Sequence, residues 1–164
     1  MATLFKEWVV RVKPDGVDRS EEFLKYGIVA IGWPKMGALT GCGRGKIQAE
    51  FDQHYPNYSR RSAGQHVGNI DRFVNCIKVG DIVIVPKSSG IRLATATKEY
   101  YYDVARKSRG YPHCIKVRYG FGGHIFPWGK LPPKLQSYQT VPQPVFQNDY
   151  AAVKQVINNP DQHW

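Results

Sequence analysis

The sequence is short of acid and of cysteine, and it holds no long apolar run. Asp plus Glu amount to 13 against 23 Lys plus Arg, and these acids are scattered rather than gathered into the carboxylate set of a metal-dependent nuclease. The three cysteines, Cys42, Cys76 and Cys114, are odd in number and far apart. With no Cys-x-x-Cys pair and no secretory leader, they read as reduced, partly buried thiols of a cytoplasmic protein. No apolar stretch approaches the ~20 residues that span a bilayer, so no membrane association is expected. The five histidines show no ligand spacing, and His113 beside Cys114 cannot make a metal site alone. A Cys-His nucleophilic pair there has no supporting third group. Gly41-Cys-Gly-Arg-Gly-Lys46 falls short of a phosphate loop. Thr40 stands where the first glycine belongs, and Ile47 replaces the Ser or Thr that would hold magnesium. It reads as a flexible basic loop that can still touch a phosphate. The expectation is therefore no catalytic residue, no metal and no cofactor.

What is present is positive charge and aromatic surface. The 164 residues fit one domain, 1–164, and carry a formal charge of +10 with 13% Phe, Trp and Tyr. Such an excess favours a polyanion as partner, and rings beside cations suit stacking on bases.

Along the chain, Glu7 to Val12 alternates as a strand and ends in the turn Lys13-Pro-Asp-Gly16. Ser20 with Glu21 and Glu22 caps a short helix that stops at Gly27. Ile28 to Trp33 is a buried strand. Helices are expected over Lys46–Tyr55 and from about Ser62 to Ile77, the second with Val67, Ile70, Phe73, Val74 and Ile77 as its core stripe. Arg60 and Arg61 then lie in the intervening loop. Asp81–Pro86 and Ile91–Thr97 form a hairpin across Lys87-Ser-Ser-Gly90. His113–Tyr119 is a further strand, Phe121–Pro133 an ordered loop, and Thr140–Phe146 an edge strand restricted by its prolines. Asp149–Ile157 reads as a terminal helix. The fold class expected is α+β: a mixed, partly closed β-barrel with flanking helices.

Candidate site residues emerge from this layout. Trp33 shares a face with Val29 and Ile31, which argues for core, yet Pro34 turns the chain away at once and leaves the ring at an edge. Both readings stand. Alternation puts at least one of Tyr100, Tyr101 and Tyr102 on a different face from its neighbours, one in the core and another near a pocket. Asp103 is either a turn acid or an acceptor for a base edge, and Asn69 sits polar beside its helix's core stripe. Lys35, Arg44, Lys46, Arg60, Arg61, Lys87, Arg106, Lys107 and Arg109 are the candidates for tracking a phosphate backbone.

The order of these phrases resembles a known family. Phe23-Leu-Lys-Tyr-Gly-Ile-Val-Ala-Ile-Gly-Trp33 comes after a Trp8-bearing strand. Arg72-Phe73 then leads to Lys78-Val-Gly-Asp-Ile-Val83, Ala94 to Asp103, and Tyr111-Pro-His-Cys-Ile-Lys-Val-Arg-Tyr119. Across residues 5–146 this resembles PUA-like domains of the EVE type (EVE/YTH-type barrels), as found at the N-terminus of Mrr-like modification-dependent restriction proteins. The remainder, 147–164, is a C-terminal helix and tail.

The resemblance implies a non-catalytic reader that takes a flipped, methylated or hydroxymethylated base into an aromatic pocket. It implies nucleic acid, foremost modified DNA, as partner, together with a nuclease domain or subunit. By position, Trp33 resembles the family's pocket tryptophan, Ser88 its polar residue after the Gly-Asp strand, and Tyr102-Asp103 its aromatic-acid pair. The family's His-Ser stands here as Lys87-Ser88, which leaves the modification open. Two other readings remain: an RNA-binding PUA-like module, and a small enzyme on nucleic acid or nucleotides with Asp103 and His113 as polar centre.

Overall fold

Near-continuous apolar strands need cover on both faces, and the computed structural model supplies it. Residues 5–140 and 145–148, with 153 and 156, are described. The strands are β1 (Glu7–Val10), β2 (Ile28–Ile31), β3 (Ile82–Lys87), β4 (Gly90–Ala96), β5 (Tyr101–Tyr102), β6 (His113–Tyr119), β7 (Phe126–Pro127) and β8 (Val145–Asn148). The helices are α1 (Ser20–Tyr26), α2 (Arg44–His54), α3 (Arg60–Asp71) and the short α4 (Pro133–Gln136). The sheet order is β2-β6-β4-β3-β1-β8, with β5 added on β6 and β7 on β4. β1 runs parallel to β3, whereas β1–β8, β2–β6, β3–β4, β4–β6, β4–β7 and β5–β6 are antiparallel. The result is an α+β fold whose curled mixed sheet forms a half-barrel.

Alternation along the strands divides the apolar residues between two cores. Trp8, Val10, Val83, Val85, Ala94 and Ala96 face the larger cluster, which Ile47 and Phe51 of α2 and Val67 and Ile70 of α3 complete. Val9, Ile84, Ile91 and Leu93 face the other way, onto Phe126, Trp128, Leu135 and Tyr138. The Gly- and Pro-rich stretch after β6 is therefore the lid of a second core, built from short turns rather than a regular element. Val153 and Val156 are buried there too. The rest of the helix expected over 149–157, and residues 141–144 of the expected edge strand, lie outside the described residues.

Several boundaries differ from the sequence reading. α3 begins at Arg60, because the Ser59 side chain caps it by accepting from the Ser62 N–H at 3.1 Å. Arg60 and Arg61 are thus helical, not looped. The helix also stops at Asp71 and continues as a π-type turn over Arg72–Cys76. Asp18, not Ser20, serves the start of α1: its Oδ1 accepts from the Ser20 N–H at 2.8 Å. The basic stretch after Asp103 is a 3₁₀ turn, Val104–Arg109, closed by Gly110.

Two polar anchors hold the sheet to its surroundings. Buried Asp81 accepts from the Lys6 N–H at 3.0 Å, from Trp8 Nε1 at 2.9 Å and from the Lys78 N–H at 2.9 Å. It therefore sets β1 against the start of β3. Buried Arg92 donates to the Gly123 carbonyl at 2.8 Å and to Glu21 Oε1 at 2.9 Å, which joins the hairpin to α1 and to the loop after β6. Asp81→Ala would strand the Trp8 indole and two backbone N–H groups. We expect about 3 kcal/mol lost from unfolding stability, measured by urea denaturation; a loss below about 1 kcal/mol would show that water serves those donors.

Candidate functional site

The end of β2 is where the fold departs from regular geometry. Gly32 passes so close to the β1–α1 turn that a methyl group on it would lie 2.3 Å from the Pro14 carbonyl oxygen. Only glycine permits that approach, and it brings Lys13 beside the next residue, Trp33. Trp33 has φ of +66°, a left-handed conformation that is costly for a side-chain-bearing residue and further disfavoured before proline.

The strain is held in place from both ends of the residue. The Trp33 carbonyl accepts from the Met36 N–H at 3.1 Å and from His113 Nε2 at 3.2 Å. A carbonyl only accepts, so His113 carries its proton on Nε2. Its Nδ1 then accepts from the Tyr100 hydroxyl at 2.7 Å, and that hydroxyl accepts from the Leu39 N–H at 3.1 Å. Each group in this buried chain is satisfied in one direction only. The indole itself is walled by Phe51, Tyr55, Tyr58 and His66, at ring separations of 5.0, 5.1, 5.9 and 4.8 Å.

Beside the indole lies a cavity of about 300 Å³, lined among others by Arg11, Lys13, Gly32, Trp33, His66 and Asn69. That is the low end of ligand-pocket size, room for one small flat ring system. Trp33 is thus both things its position allowed, packed on the main core and lining a cavity. Burial lowers the His66 pKa, which favours a neutral ring. Asn69 is buried and its Oδ1 accepts from Arg72 Nη2 at 2.6 Å. Because a guanidinium only donates, this bond orients the amide and leaves Nδ2 as a donor.

The chain belongs to the family described as Domain of unknown function (DUF8426). Its match covers residues 8–125, and no PUA or EVE family matches. No curated protein matches the chain. The matched span holds the cavity-lining residues named above, and Val145 of β8, beyond it, completes the wall.

Of the residues singled out from sequence, Trp33 and Asn69 meet at this cavity. Ser88 does not: it lies in a neighbouring cleft of about 270 Å³ that shares Arg11 and Lys13 as walls. Tyr101 packs on the main core beneath the Lys98 ammonium, and Tyr102 sets its ring against His113. Neither lines the cavity. Asp103 accepts from the Ala105 N–H and pairs with Arg106 at 3.0 Å, so it serves as a turn acid.

Three of the flagged cations are likewise engaged. Arg106 is held by Asp103, Arg109 pairs with Glu22 at 2.6 Å, and Lys87 with Glu21 at 3.3 Å. The Arg109 guanidinium and the Tyr111 hydroxyl hold the Glu22 carboxyl down to about 2. Lys35 lies over the Tyr55 ring, 5.4 Å from its centroid. Arg44, Lys46, Arg60, Arg61 and Lys107 are exposed. Arg11, Lys13 and His66 were not singled out from sequence. The turn Lys13-Pro14 before an acid-rich helix was the one legible signal, since nothing local shows that it folds onto Gly32.

The His113–Cys114 neighbours form no reactive pair. Both His113 nitrogens are occupied, and burial pushes the Cys114 thiol up to about 12, which keeps it protonated at neutral pH. No group of three or more His, Cys, Asp or Glu among the described residues could hold a metal ion, and no helix there is long and apolar enough to cross a membrane.

Burial also moves His113 from 6.5 to about 4. Between these values the unfolded chain takes up a proton that the folded one refuses, so stability falls as pH falls from 6.5 towards 4. The loss at this one ring amounts to about 3 kcal/mol. Urea midpoints across that window should fall steeply in the parent protein and much less in His113→Gln. Equal slopes would place the refused proton elsewhere.

Proposed function

We propose that this protein is a non-catalytic reader of modified DNA that holds one flipped, methylated or hydroxymethylated base in the Trp33 cavity. Its place is the recognition module of a modification-dependent restriction or defence system, with cleavage carried by a partner nuclease domain or subunit. The curled half-barrel is compatible with the partly closed, PUA-like barrel that this reading requires.

The observation that carries the reading is the cavity's composition. A ring-sized space is bounded by an indole, an imidazole disfavoured from carrying charge and an oriented amide, with Arg11 and Lys13 on its wall. Extruding a base costs a few kcal/mol of stacking and pairing, and a stacked aromatic returns about 1–3 kcal/mol. The Asn69 Nδ2 donor suits a carbonyl on the base edge. A methyl or hydroxymethyl group then adds apolar area or one hydrogen bond, enough for about ten-fold discrimination. Arg11 and Lys13 supply positive charge where the phosphates flanking an extruded base must pass.

Trp33→Gly is the variant of choice, because glycine adopts the left-handed conformation without strain while the ring is lost. We expect it to melt as a folded domain and to lose the preference for modified over plain duplex, with binding to the modified duplex weakened about ten-fold or more. Retained preference in a folded variant would remove Trp33 from the site. Plain RNA outcompeting modified duplex would redirect the reading to an RNA module.

A further inference from the structure

Two guanidinium groups converge over Gly68, a buried position of α3 that has no side chain of its own. A methyl group placed on Gly68 would lie 3.4 Å from Arg72 Nη1 and 3.6 Å from Arg44 Nη2. Like charges drawn to one neighbour repel one another, and among the described residues neither forms an ion pair with a carboxylate. Asp71, the nearest acid in sequence, accepts from Asn75 Nδ2 at 2.8 Å. Arg72 is fixed in place by two bonds, Nε to the Val145 carbonyl at 3.0 Å and Nη2 to Asn69 Oδ1 at 2.6 Å, which leaves Nη1 turned towards Gly68.

The surroundings share this bias. Arg61, Gln65, Gly68 and Arg72 recur at i, i+4, i+7 and i+11, one face of the helix, and Arg61 and Gln65 are exposed. His66 and Asn69, on the adjoining stripe, line the Trp33 cavity. Both α2 and α3 carry two cations and no acid in their first turn: Arg44 and Lys46 in one, Arg60 and Arg61 in the other. Cations there oppose the helix dipole. Such a choice, made at two helices, works against helix stability and matches a surface kept for anions.

We propose that Arg44 and Arg72 clamp one backbone phosphate of a nucleic-acid strand over Gly68, with Arg61 and Gln65 continuing the track along α3. Paired guanidinium forks fit a tetrahedral oxyanion held on their outer side, and the missing side chain at Gly68 lets both forks settle against the helix and face the same anion. Which nucleotide is held rests on the reading of the cavity as a base site; the phosphate chemistry rests on the two arginines alone. Arg72 thereby joins the phosphate to Asn69, so that a seated backbone and an oriented amide share one side chain.

The test uses the full chain and an unmodified mixed-sequence oligonucleotide, single-stranded and duplex, titrated at several salt concentrations. Arg44→Gln should weaken binding about three- to ten-fold and flatten the salt slope by about 0.7 on single strands or 0.9 on duplex. Gly68→Ala sets a methyl against both forks and pushes them apart while improving helix propensity, so it should bind more weakly yet melt about 2–4 °C higher. Unchanged affinity and slope in Arg44→Gln, or weaker binding with a lower melting temperature in Gly68→Ala, would overturn the clamp. A flattened slope in Arg44→Gln alongside intact modified-base preference in Trp33→Gly would sink the cavity reading and leave the clamp standing.

Discussion

The buried imidazole of His113 is the constraint on which the candidate site depends. Its two nitrogens join strand β6 to the Trp33 carbonyl on one side and, through the Tyr100 hydroxyl, to the Leu39 N–H on the other. Without that chain, Trp33 would have every reason to relax into the extended conformation that a residue before proline prefers. Held as it is, the indole stays clamped among four rings with one side turned to the cavity. A strained residue that its surroundings over-determine is a common mark of a site organised before its ligand arrives.

Charge is distributed as unevenly as strain. The acids of α1 and its preceding turn are engaged close to home: Glu22 takes Arg19 and Arg109, Glu21 takes Arg92 and Lys87, and Asp15 takes Arg19. These contacts are partly exposed and add little stability individually. Their larger effect is to cancel positive charge on that flank. The exposed cations in the first turns of α2 and α3 form no ion pair with a carboxylate among the described residues. The positive field at the surface is therefore set more by the helical hairpin and the Lys13 turn than by the basic run after Asp103.

The sheet was largely legible because strands with two buried faces announce themselves as apolar runs bounded by Gly, Pro and Asp, as around Ile28 and Ile82. Two-residue strands such as β5 and β7 leave no periodicity to read, and nothing in the composition of the 3₁₀ turn after Asp103 repeats to announce it. At the site, Trp33 and Asn69 were identifiable as a ring at a strand's edge and a polar residue on a core stripe. Tyr102, Asp103 and Ser88 join them through family resemblance and Tyr101 through strand alternation, and the fold puts all four elsewhere. Partnership was the invisible quantity throughout. That Glu22 would meet Arg109 across 87 residues, or that Arg11 and Lys13 would border Trp33, depends on tertiary closure that no local pattern encodes.

The place of β1 carries a consequence for how the chain reaches this state. Its strand is made first, yet its neighbours are β3 on one side and β8 on the other, with Trp8 opposite Val83 and Gln147. During synthesis those few apolar residues must wait, unpaired, until Ile82–Lys87 is made, and one edge stays open until Val145–Asn148 follows. Assembly of such distant partners is slow relative to the helical hairpin of α2 and α3, whose contacts are local. The nascent protein is thus expected to carry a formed aromatic cluster on an unfinished sheet, exposed to chaperones or to mispairing until the residues near 148 emerge.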